Sequence, residues 1–379
     1  MKLNFHNYRC FENLSVDLPV SNFIILDHNG SGKTSILSAI YSLWTGAPFP
    51  STKFANYLMT GKEYFGINGQ DKECYINGKI SSSGRLITKR NKDFDYQLFL
   101  KSNLGFGQSK QSESLKFLTY QPNDNLWLFQ SRSLKIAQLD QIIDQSYGQI
   151  STLTKYLDKL TKHKLELIKH SNITGQIDWF TVDFVSKEIL KVSIHIWCFR
   201  LRFWFIWQSK FKDFDQLIDN PIGNWRLELQ LSNSFAKKQT LTLPDDFEPS
   251  SDNIKQWINT NLNLNNLDFH KLFLKEQIVE KILFGASRDD FCIFGNNQPI
   301  ESRLSRGEMR LFVLFVRQVA TQSQSNVWLL DDVFNELDDK RERLMLDQIF
   351  ADSLWLVATG TRCNLNNLNK VSIKDLTIV

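Results

Sequence analysis

The sequence predicts an α/β protein: a mixed sheet with flanking antiparallel strands and helices, split in sequence by an inserted, mainly helical lobe. Three observations carry this. Near the start, over residues 22–44, an apolar strand runs into a glycine-rich loop and then a helix. Near the end, Val327-Trp328-Leu329-Leu330 forms an apolar run that closes on two carboxylates, Asp331 and Asp332. Between them, from about residue 131 to residue 211, strand-like alternation gives way to helical spacing. At 379 residues the chain exceeds what one hydrophobic core usually serves. The expected division is therefore residues 1–130 with 283–379 as one lobe and 131–282 as the insertion.

Taken in order, Leu14, Val16 and Leu18 alternate as a half-buried strand should, and residues 22–26 (NFIIL) are a short run suited to burial on both faces of a sheet. Asp27-His28-Asn29-Gly30-Ser31-Gly32-Lys33-Thr34 follows, and then SILSAIYSLW with helical spacing. Strand, glycine-rich loop and helix in succession are the context that a phosphate-binding P-loop requires. Backbone N–H groups of Asn29, Gly30, Ser31 and Gly32 would wrap the phosphates, Lys33 would reach the outer ones, and the Thr34 hydroxyl would ligate Mg²⁺. A chance GSGKT is the competing reading, and the flanking strand and helix weigh against it. Asp27 stands where the GxxxxGK[ST] pattern has its first glycine.

From residue 64 to 104 short alternating runs recur, with hairpin signals at Asn77-Gly78 and Ser83-Gly84. In the helical stretch, Tyr156, Leu160, Leu165 and Ile168 fall roughly along one stripe, with lysines elsewhere. Residues 192–207 (VSIHIWCFRLRFWFIW) read as a buried helix, since His195, Arg200 and Arg202 interrupt a run short of the roughly 18 apolar residues a membrane span needs. Trp197, Phe199, Phe203, Trp204 and Trp207 recur there at helical spacing and are expected in a core rather than stacked on bases.

The two carboxylates end a strand, which would deliver them to the sheet edge beside the P-loop. Asp331 could hold Mg²⁺ through water and Asp332 could orient or deprotonate an attacking water. Such a pair is a weak signal by itself, because strands often end in Asp at turns; a P-loop in the same chain strengthens it. Leu304-Ser305-Arg306-Gly307-Glu308 precedes a helical run, with Ser305 and Glu308 spaced as a capping box. A serine and glycine at a helix N-terminus also make a second anion site, and both readings stand together. Asn335-Glu336-Leu337-Asp338 then forms an acidic turn into another helix, and residues 354–359 (LWLVAT) form a strand with Thr359 and Thr361 at its end.

Composition bounds the class. Hydrophobic residues make up 42% and charged ones 23%, which excludes a disordered, collagen-like or disulfide-scaffold chain. Aromatics are abundant, with 29 Phe, 10 Trp and 9 Tyr. The net charge of +4 permits a nucleic-acid partner without requiring one. Cys10, Cys74, Cys198, Cys292 and Cys363 are scattered, without metal-ligand spacing, as suits a reducing cytoplasm. The opening MKLNFHNYRC does not read as a signal peptide, so a cytoplasmic protein with no membrane partner is expected.

The P-loop, LSRGE before a helix, LLDD and ELD together resemble an ABC-type ATPase head of the DNA-repair branch. Closer still, the chain resembles the RecF family of bacterial recombination mediators. FHNYRCFENLSVDL is similar to that family's N-terminal strand pair, and HNGSGKTSILSAIYSLWTGAPF to its P-loop and following helix. Arg132 and Asp140 lie where the family has a basic stretch and Leu-Asp, residues 285–290 (GASRDD) resemble its GPHRDD segment, and Gly295 with Pro299 its NGKP turn. The likeness is strong at both ends and thin from about residue 148 to 284.

The resemblance implies ATP and Mg²⁺ as cofactors and a homodimer formed on ATP, in which Ser305, Arg306 and Gly307 would act in trans on the γ-phosphate. It also implies action at DNA gaps or junctions to promote recombinase loading, and partners such as RecR- and RecO-like mediators. Gln121 in TYQPND would sit like the Q-loop that senses metal and water, while a turn glutamine before Pro122 is equally open. Ser38 and Glu308 replace the usual glutamate and glutamine, and no histidine stands near Thr359 to Thr361, so a slow, weak ATPase used as a switch is expected rather than a fast motor. The alternatives are another SMC-like head or a degenerate non-hydrolysing clamp. Less favoured is a transporter subunit, whose compact head does not suit 272 residues between Lys33 and Ser305.

Two basic segments are candidates for DNA. Residues 151–212 hold 11 Lys and Arg against 5 Asp and Glu, with Lys155, Lys159 and Lys162 among them. Arg85, Lys89, Arg90 and Lys92 lie on or near a hairpin. Phosphate contacts carry no base readout, so duplex or junction DNA would be bound with little sequence preference. For any single lysine, a solvated surface is the ordinary alternative.

Overall fold

Alternating burial builds the first strands. In β1 (Lys2–Tyr8), Leu3 and Phe5 turn inward while Lys2 and Asn4 face out. A turn at Arg9, with φ of 51°, sends the chain back as β2 (Phe11–Asp17). The computed structural model describes residues 1–50, 52–69, 74–91, 95, 115–231, 239–241, 251–262, 267–321, 326–335, 337–351, 353–365 and 368–378. They fall into two units, Met1–Asp124 with Ser323–Val379, and Asn125–Gln322.

The first unit holds two five-stranded sheets. One is antiparallel, in the order β2-β1-β4-β5-β6, with β4 (Tyr64–Gly69), β5 (Tyr75–Ile80) and β6 (Leu86–Arg90). The other is wholly parallel, in the order β14-β3-β13-β12-β7. It comprises β3 (Phe23–Leu26), β7 (Lys116–Tyr120), β12 (Asn326–Leu330), β13 (Ser353–Gly360) and β14 (Asn369–Val371). Its central strands read as continuous apolar runs because both faces are covered. Helix α1 (Lys33–Thr45) joins the two sheets in one core, where Ile36, Ile40 and Leu43 meet Leu3, Phe65 and Val357.

Of the two hairpin signals, Ser83-Gly84 is a turn, closed by Gly84 N–H donating to Ser81 O at 2.9 Å. Asn77-Gly78 is not a turn. It lies inside β5, where Gly78 makes room for a neighbour: a Cβ there would sit 2.2 Å from the Phe65 ring. Glycine marks close approach at this position rather than a reversal. Residues 92–94 and 96–104, the rest of that expected region, lie outside the described residues.

The second unit is built on helices α2 (Arg132–Tyr147), α3 (Ile150–Thr174), α4 (Trp179–Ser209), α5 (Phe269–Val279) and α6 (Arg306–Thr321). It also contains a four-stranded antiparallel sheet in the order β11-β10-β8-β9, with β8 (Trp225–Leu231), β9 (Gln239–Leu241), β10 (Asp290–Gly295) and β11 (Gln298–Pro299). Residues 283–321, expected with the ATPase lobe, cluster instead with this unit. The reason is aromatic packing. Phe312 of α6 lies 5.7 Å from Trp207 and 6.1 Å from Trp225, and Phe291 of β10 lies 5.4 Å from Trp204. The 192–207 run thus feeds a core, as its spacing implied, and absorbs part of the aromatic surplus.

The buried stripe of α3 differs from the expected one. It runs through Ile150, Leu157, Leu160, Lys164, Ile168 and Ser171, while Tyr156 is exposed. Lys164 belongs to it because its ammonium pairs with Glu276 of α5 at 2.7 Å, with both side chains wholly enclosed. No helix among the described residues is long and apolar enough to cross a membrane.

Candidate nucleotide and metal site

Parallel order puts the carboxyl ends of β3, β13, β12 and β7 on one edge of the sheet, where ligands of open α/β sheets bind. Each strand delivers its own chemistry there. From β3 the chain enters the loop 27–32 and then α1, whose N-terminal N–H groups have no intrahelical acceptors. Gly30 and Gly32 have φ of 83° and 105°, left-handed values that favour glycine. Gly32 is also confined: a Cβ would fall 2.3 Å from the Phe11 ring and 2.8 Å from Cys10 Sγ, so the β1–β2 turn closes over the loop.

Asp27, in place of the first motif glycine, does not distort the loop, since it is not among the residues with positive φ. Its carboxylate accepts from His28 N at 2.8 Å and His28 Nδ1 at 2.6 Å. Burial pushes that carboxyl up, and the hydrogen bonds from His28 outweigh it, holding it below the usual range. Lys33 Nζ donates to the carbonyls of Asp27 at 2.7 Å and His28 at 2.9 Å, so it is already drawn over the loop that would hold phosphates.

From β12 comes the carboxylate pair. Thr34 Oγ1 donates to both oxygens of Asp331, at 2.9 and 3.0 Å, which joins the P-loop helix to the second motif across 297 residues of sequence. Thr359, at the end of β13, links both acids: its hydroxyl donates to Asp331 Oδ1 at 2.7 Å and accepts from Asp332 N at 3.0 Å. In the sequence Thr359 stood out as a strand end and as a place without the histidine of other heads, and no motif spacing announces this hydrogen bonding. Asp332 takes a left-handed φ of 50°, and its buried Oδ1 has no hydrogen-bond partner in the structure. A carboxylate oxygen held out of water and unpaired is an acceptor in waiting.

These groups suit Mg²⁺. It is a hard cation bound through one or two carboxylates plus substrate phosphates, and the Thr34 hydroxyl and Asp331 carboxylate supply hard oxygens beside a phosphate loop. No group of three or more His, Cys, Asp or Glu that could hold a metal occurs among the described residues, so such an ion would need the phosphates to complete its shell. Burial pushes the Asp331 carboxyl above its ordinary range; Asp332 adds to this, while Thr359, Thr34 and Lys33 oppose it. A raised folded-state value means that Asp331 stabilises the metal-free protein most below its unfolded pKa, and that this contribution is lost as pH rises through the folded value. The melting temperature of the metal-free protein minus that of Asp331→Asn is therefore expected to fall across that window, and adding Mg²⁺ with nucleotide is expected to reverse the fall. A difference that stays flat with pH would contradict it.

Gln121 follows β7, and Asp331 N donates to the preceding Tyr120 O at 2.9 Å, so the backbone brings Gln121 close to the carboxylates. Its side chain is engaged elsewhere: Nε2 donates to Pro50 O at 2.6 Å, and its N–H donates to Asp124 Oδ2 at 2.8 Å. That is the turn geometry, and a Q-loop role requires Nε2 to leave Pro50. Ser305, Arg306 and Gly307 belong to the second unit, where Ser305 closes a reciprocal capping box: its N–H donates to Glu308 Oε2 at 2.9 Å, and Glu308 N donates to its hydroxyl at 3.3 Å.

The basic candidates divide by orientation. Lys155, Lys159 and Lys162 are exposed on one face of α3, at spacings of four and three. Arg85 and Lys89 are exposed on β6 or just before it, but Arg90 points the other way and donates through Nη2 to Trp44 O at 2.7 Å. Side chains alternate along a strand, so Arg90 cannot share a patch with Lys89. Lys92 lies outside the described residues.

One cluster was legible only as two family-like segments. Arg200 of α4 clasps Asp140 of α2 through Nε and Nη2, at 2.8 and 2.7 Å, and reaches Asp289 and the Ala286 carbonyl through Nη1. Trp197 Nε1 donates to Asp289 at 2.8 Å. The 285–290 segment is thus tied to the helical core by an internal ion-pair network.

A family profile described as AAA domain matches residues 2–192. The "DNA replication and repair protein RecF" of Oceanobacillus iheyensis is 23% identical over 375 residues, covering 94% of this chain and 92% of its own. The protein of the same description from Rickettsia canadensis is 25% identical over 395 positions, covering 99% and 98%. Among solved structures, the recombination mediator protein RecF-ATPrS in the RecFOR pathway superposes with a TM-score of 0.68 at 18% identity, over 98% of this chain and 95% of that one. RecF-ATP superposes with a TM-score of 0.64 over 98% and 96%. With the loop, the carboxylate pair and the strand order in place, and a likeness that runs along nearly the whole chain, the protein belongs to the AAA-domain family and, within it, to the RecF family.

Proposed function

We propose that this chain is a RecF-type DNA-repair mediator: an ATP-binding protein that pairs with a second copy on ATP, binds DNA at gaps or junctions and promotes recombinase loading. The observation that carries the reading is the Thr34–Asp331–Thr359–Asp332 hydrogen-bonded set at the carboxyl edge of a parallel sheet, beside a glycine-rich loop. The names of its relatives, DNA replication and repair protein and recombination mediator, support the biological setting.

In this reading, N–H groups of Asn29, Gly30, Ser31 and Gly32 and the N-terminus of α1 receive the phosphates. Lys33 exchanges the Asp27 and His28 carbonyls for phosphate oxygens. Thr34 and Asp331 would hold Mg²⁺, which would supply charge neutralisation at the phosphates. Asp332 accepts a proton from the attacking water or aligns it, using its unpartnered oxygen. Ser305, Arg306 and Gly307 of a second copy complete the site. Hydrolysis is slow, and the ATPase works as a switch. Lys155, Lys159 and Lys162, with Arg85 and Lys89, contact DNA phosphates. RecR- or RecO-like mediators are the expected protein partners, and the cytoplasm the expected location.

The test is the mass in solution with ATP and Mg²⁺. The wild type is expected to double in mass, and Lys33→Ala and Ser305→Arg to remain monomeric for different reasons: the first loses nucleotide binding, the second retains it. Equal mass for all three, with and without ATP, would sink the reading. For DNA, affinity is expected to fall steeply between low and moderate salt, with a shallower slope when Lys155, Lys159 and Lys162 are replaced by Gln. A flat salt response would remove the phosphate-contact proposal.

A further inference from the structure

The residue that departs from the phosphate-loop pattern brings its neighbour into the site. Where the pattern has its first glycine, Asp27 supplies a carboxylate. It accepts from His28 N at 2.8 Å, from His28 Nδ1 at 2.6 Å and from Ile373 N at 3.4 Å, the last 346 residues away in sequence. Glycine at this position offers none of these bonds. The Asp27 side chain is 18% exposed, while the His28 ring bonded to it is 80% exposed. One half-enclosed carboxylate therefore fixes a solvent-facing imidazole at the mouth of the loop.

That bond determines what the imidazole can offer. An ionised carboxylate only accepts hydrogen bonds, so Nδ1 is the donor and the neutral ring carries its lone pair on Nε2. When the ring gains a proton, Nε2–H becomes a charged donor. The backbone N–H of His28 is spent on Asp27, so from this position the ring is what remains to meet a phosphate. Lys33 Nζ lies 2.9 Å from His28 O, and in a loop of this type that ammonium reaches the outer phosphates. His28 is thus placed beside the outer end of the phosphate chain. The charged groups about this pair are Asp27 itself, the Lys33 ammonium from α1 and, on the segment that donates Ile373 N, Lys374 and Asp375. Asp375 is engaged with Ser372, whose N–H donates to it at 2.6 Å.

We infer that His28, oriented by Asp27, is a further contact to the outermost phosphate of the bound nucleotide and makes this loop favour triphosphates over diphosphates, most strongly when the ring is protonated. The inference rests on the reading of loop 27–34 as a nucleotide site and adds a specificity-determining residue to it. Asp27 is the positioning residue of that contact. A diphosphate lacks the group that the ring meets, so the gain belongs to the triphosphate alone. The sign follows from charge: a cationic Nε2–H is attracted to phosphate, and a neutral Nε2 lone pair is not. Histidine titrates between pH 5 and 8, so the discrimination falls as pH rises through that interval.

Isothermal titration calorimetry of the full chain with AMP-PNP and with ADP, each with Mg²⁺, at about pH 6 and about pH 8 tests it. At the lower pH, His28→Gln is expected to bind AMP-PNP about 10-fold more weakly than wild type, the loss of one charge-assisted hydrogen bond. At the higher pH the two are expected to agree within about twofold, and ADP affinity to agree within about twofold throughout, which also shows that the variant is folded. His28→Lys, a cation at either pH, is expected to keep at the higher pH the AMP-PNP affinity that the wild type reaches at the lower. Asp27→Asn removes the charge that favours the imidazolium and is expected to move the wild-type pH profile to lower pH. In NMR spectra the His28 ring signal, assigned by its loss in His28→Gln, is expected to shift on adding AMP-PNP and not on adding ADP. Wild-type affinity for AMP-PNP in His28→Gln at the lower pH, or equal losses for AMP-PNP and ADP, would overturn the contact while leaving the nucleotide site intact. A wild type that binds neither nucleotide would overturn the nucleotide reading itself.

Discussion

Asp332→Asn is expected to lower ATP turnover by about 10²- to 10⁴-fold, the range for removing a positioned general base, while leaving ATP affinity within a few fold. The argument is geometric. Asp332 N is held by the Thr359 hydroxyl, and the backbone at Asp332 is left-handed, with φ of 50°. One of its oxygens is buried and unpartnered, the state in which a base awaits a proton. An amide keeps the shape and removes the basicity. With hydrolysis slowed and binding kept, the ATP-bound dimer is expected to accumulate. Single-turnover hydrolysis and light scattering on the same sample check both halves. Turnover close to wild type, with no gain of dimer, would reassign Asp332 to structure alone.

Arg200→Met is expected to cost about 3–5 kcal/mol of stability, the range for breaking a buried ion pair from one side. Arg200 is fully buried, and its guanidinium is the shared cation of Asp140 and Asp289. Burial opposes its charge and the two carboxylates outweigh that, holding the guanidinium firmly protonated. Without it, Asp140 and Asp289 lose their shared cation and the Ala286 carbonyl loses its donor, leaving Asp289 the Trp197 indole N–H. Urea unfolding followed by tryptophan fluorescence reports on the second unit through Trp197, Trp204 and Trp207 in its core, beside the signal of Trp44, Trp328 and Trp355 in the first. Replacing Arg200, Asp140 and Asp289 together by apolar residues is expected to recover most of the loss, because no charge then remains stranded. A single variant within about 1 kcal/mol of wild type would show that the network carries little.

The parts of the candidate nucleotide site were legible because each is local. A glycine-rich loop between a strand and a helix, an apolar strand ending in two acids, and a serine three residues before a glutamate are patterns confined to a dozen residues or fewer, and all took the forms their spacing implies. Thr359 was not legible as a site residue: a threonine at a strand end carries no pattern, and its part arises only because β13 lies between β3 and β12. Lys164 was placed on the solvated side for a similar reason. A lysine reads as exposed unless its partner is known, and Glu276 lies 112 residues away in sequence. Arg90 was grouped with Lys89 by proximity in sequence, yet the two-residue period of a strand sends neighbours to opposite faces.

By itself, the sequence determined the elements, the phosphate loop, the acid pair and the family resemblance, since these rest on spacing within single segments and on the chemistry that each residue type can perform. Tertiary structure alone decided which residues meet. It joined Thr34 to Asp331 across the chain, committed Gln121 to Pro50, and drew Phe312, in the helix that Ser305 caps, into the aromatic core of the second unit. The physical reason is that strand order and register, which pair distant segments, are fixed by packing of the whole core rather than by any window of sequence.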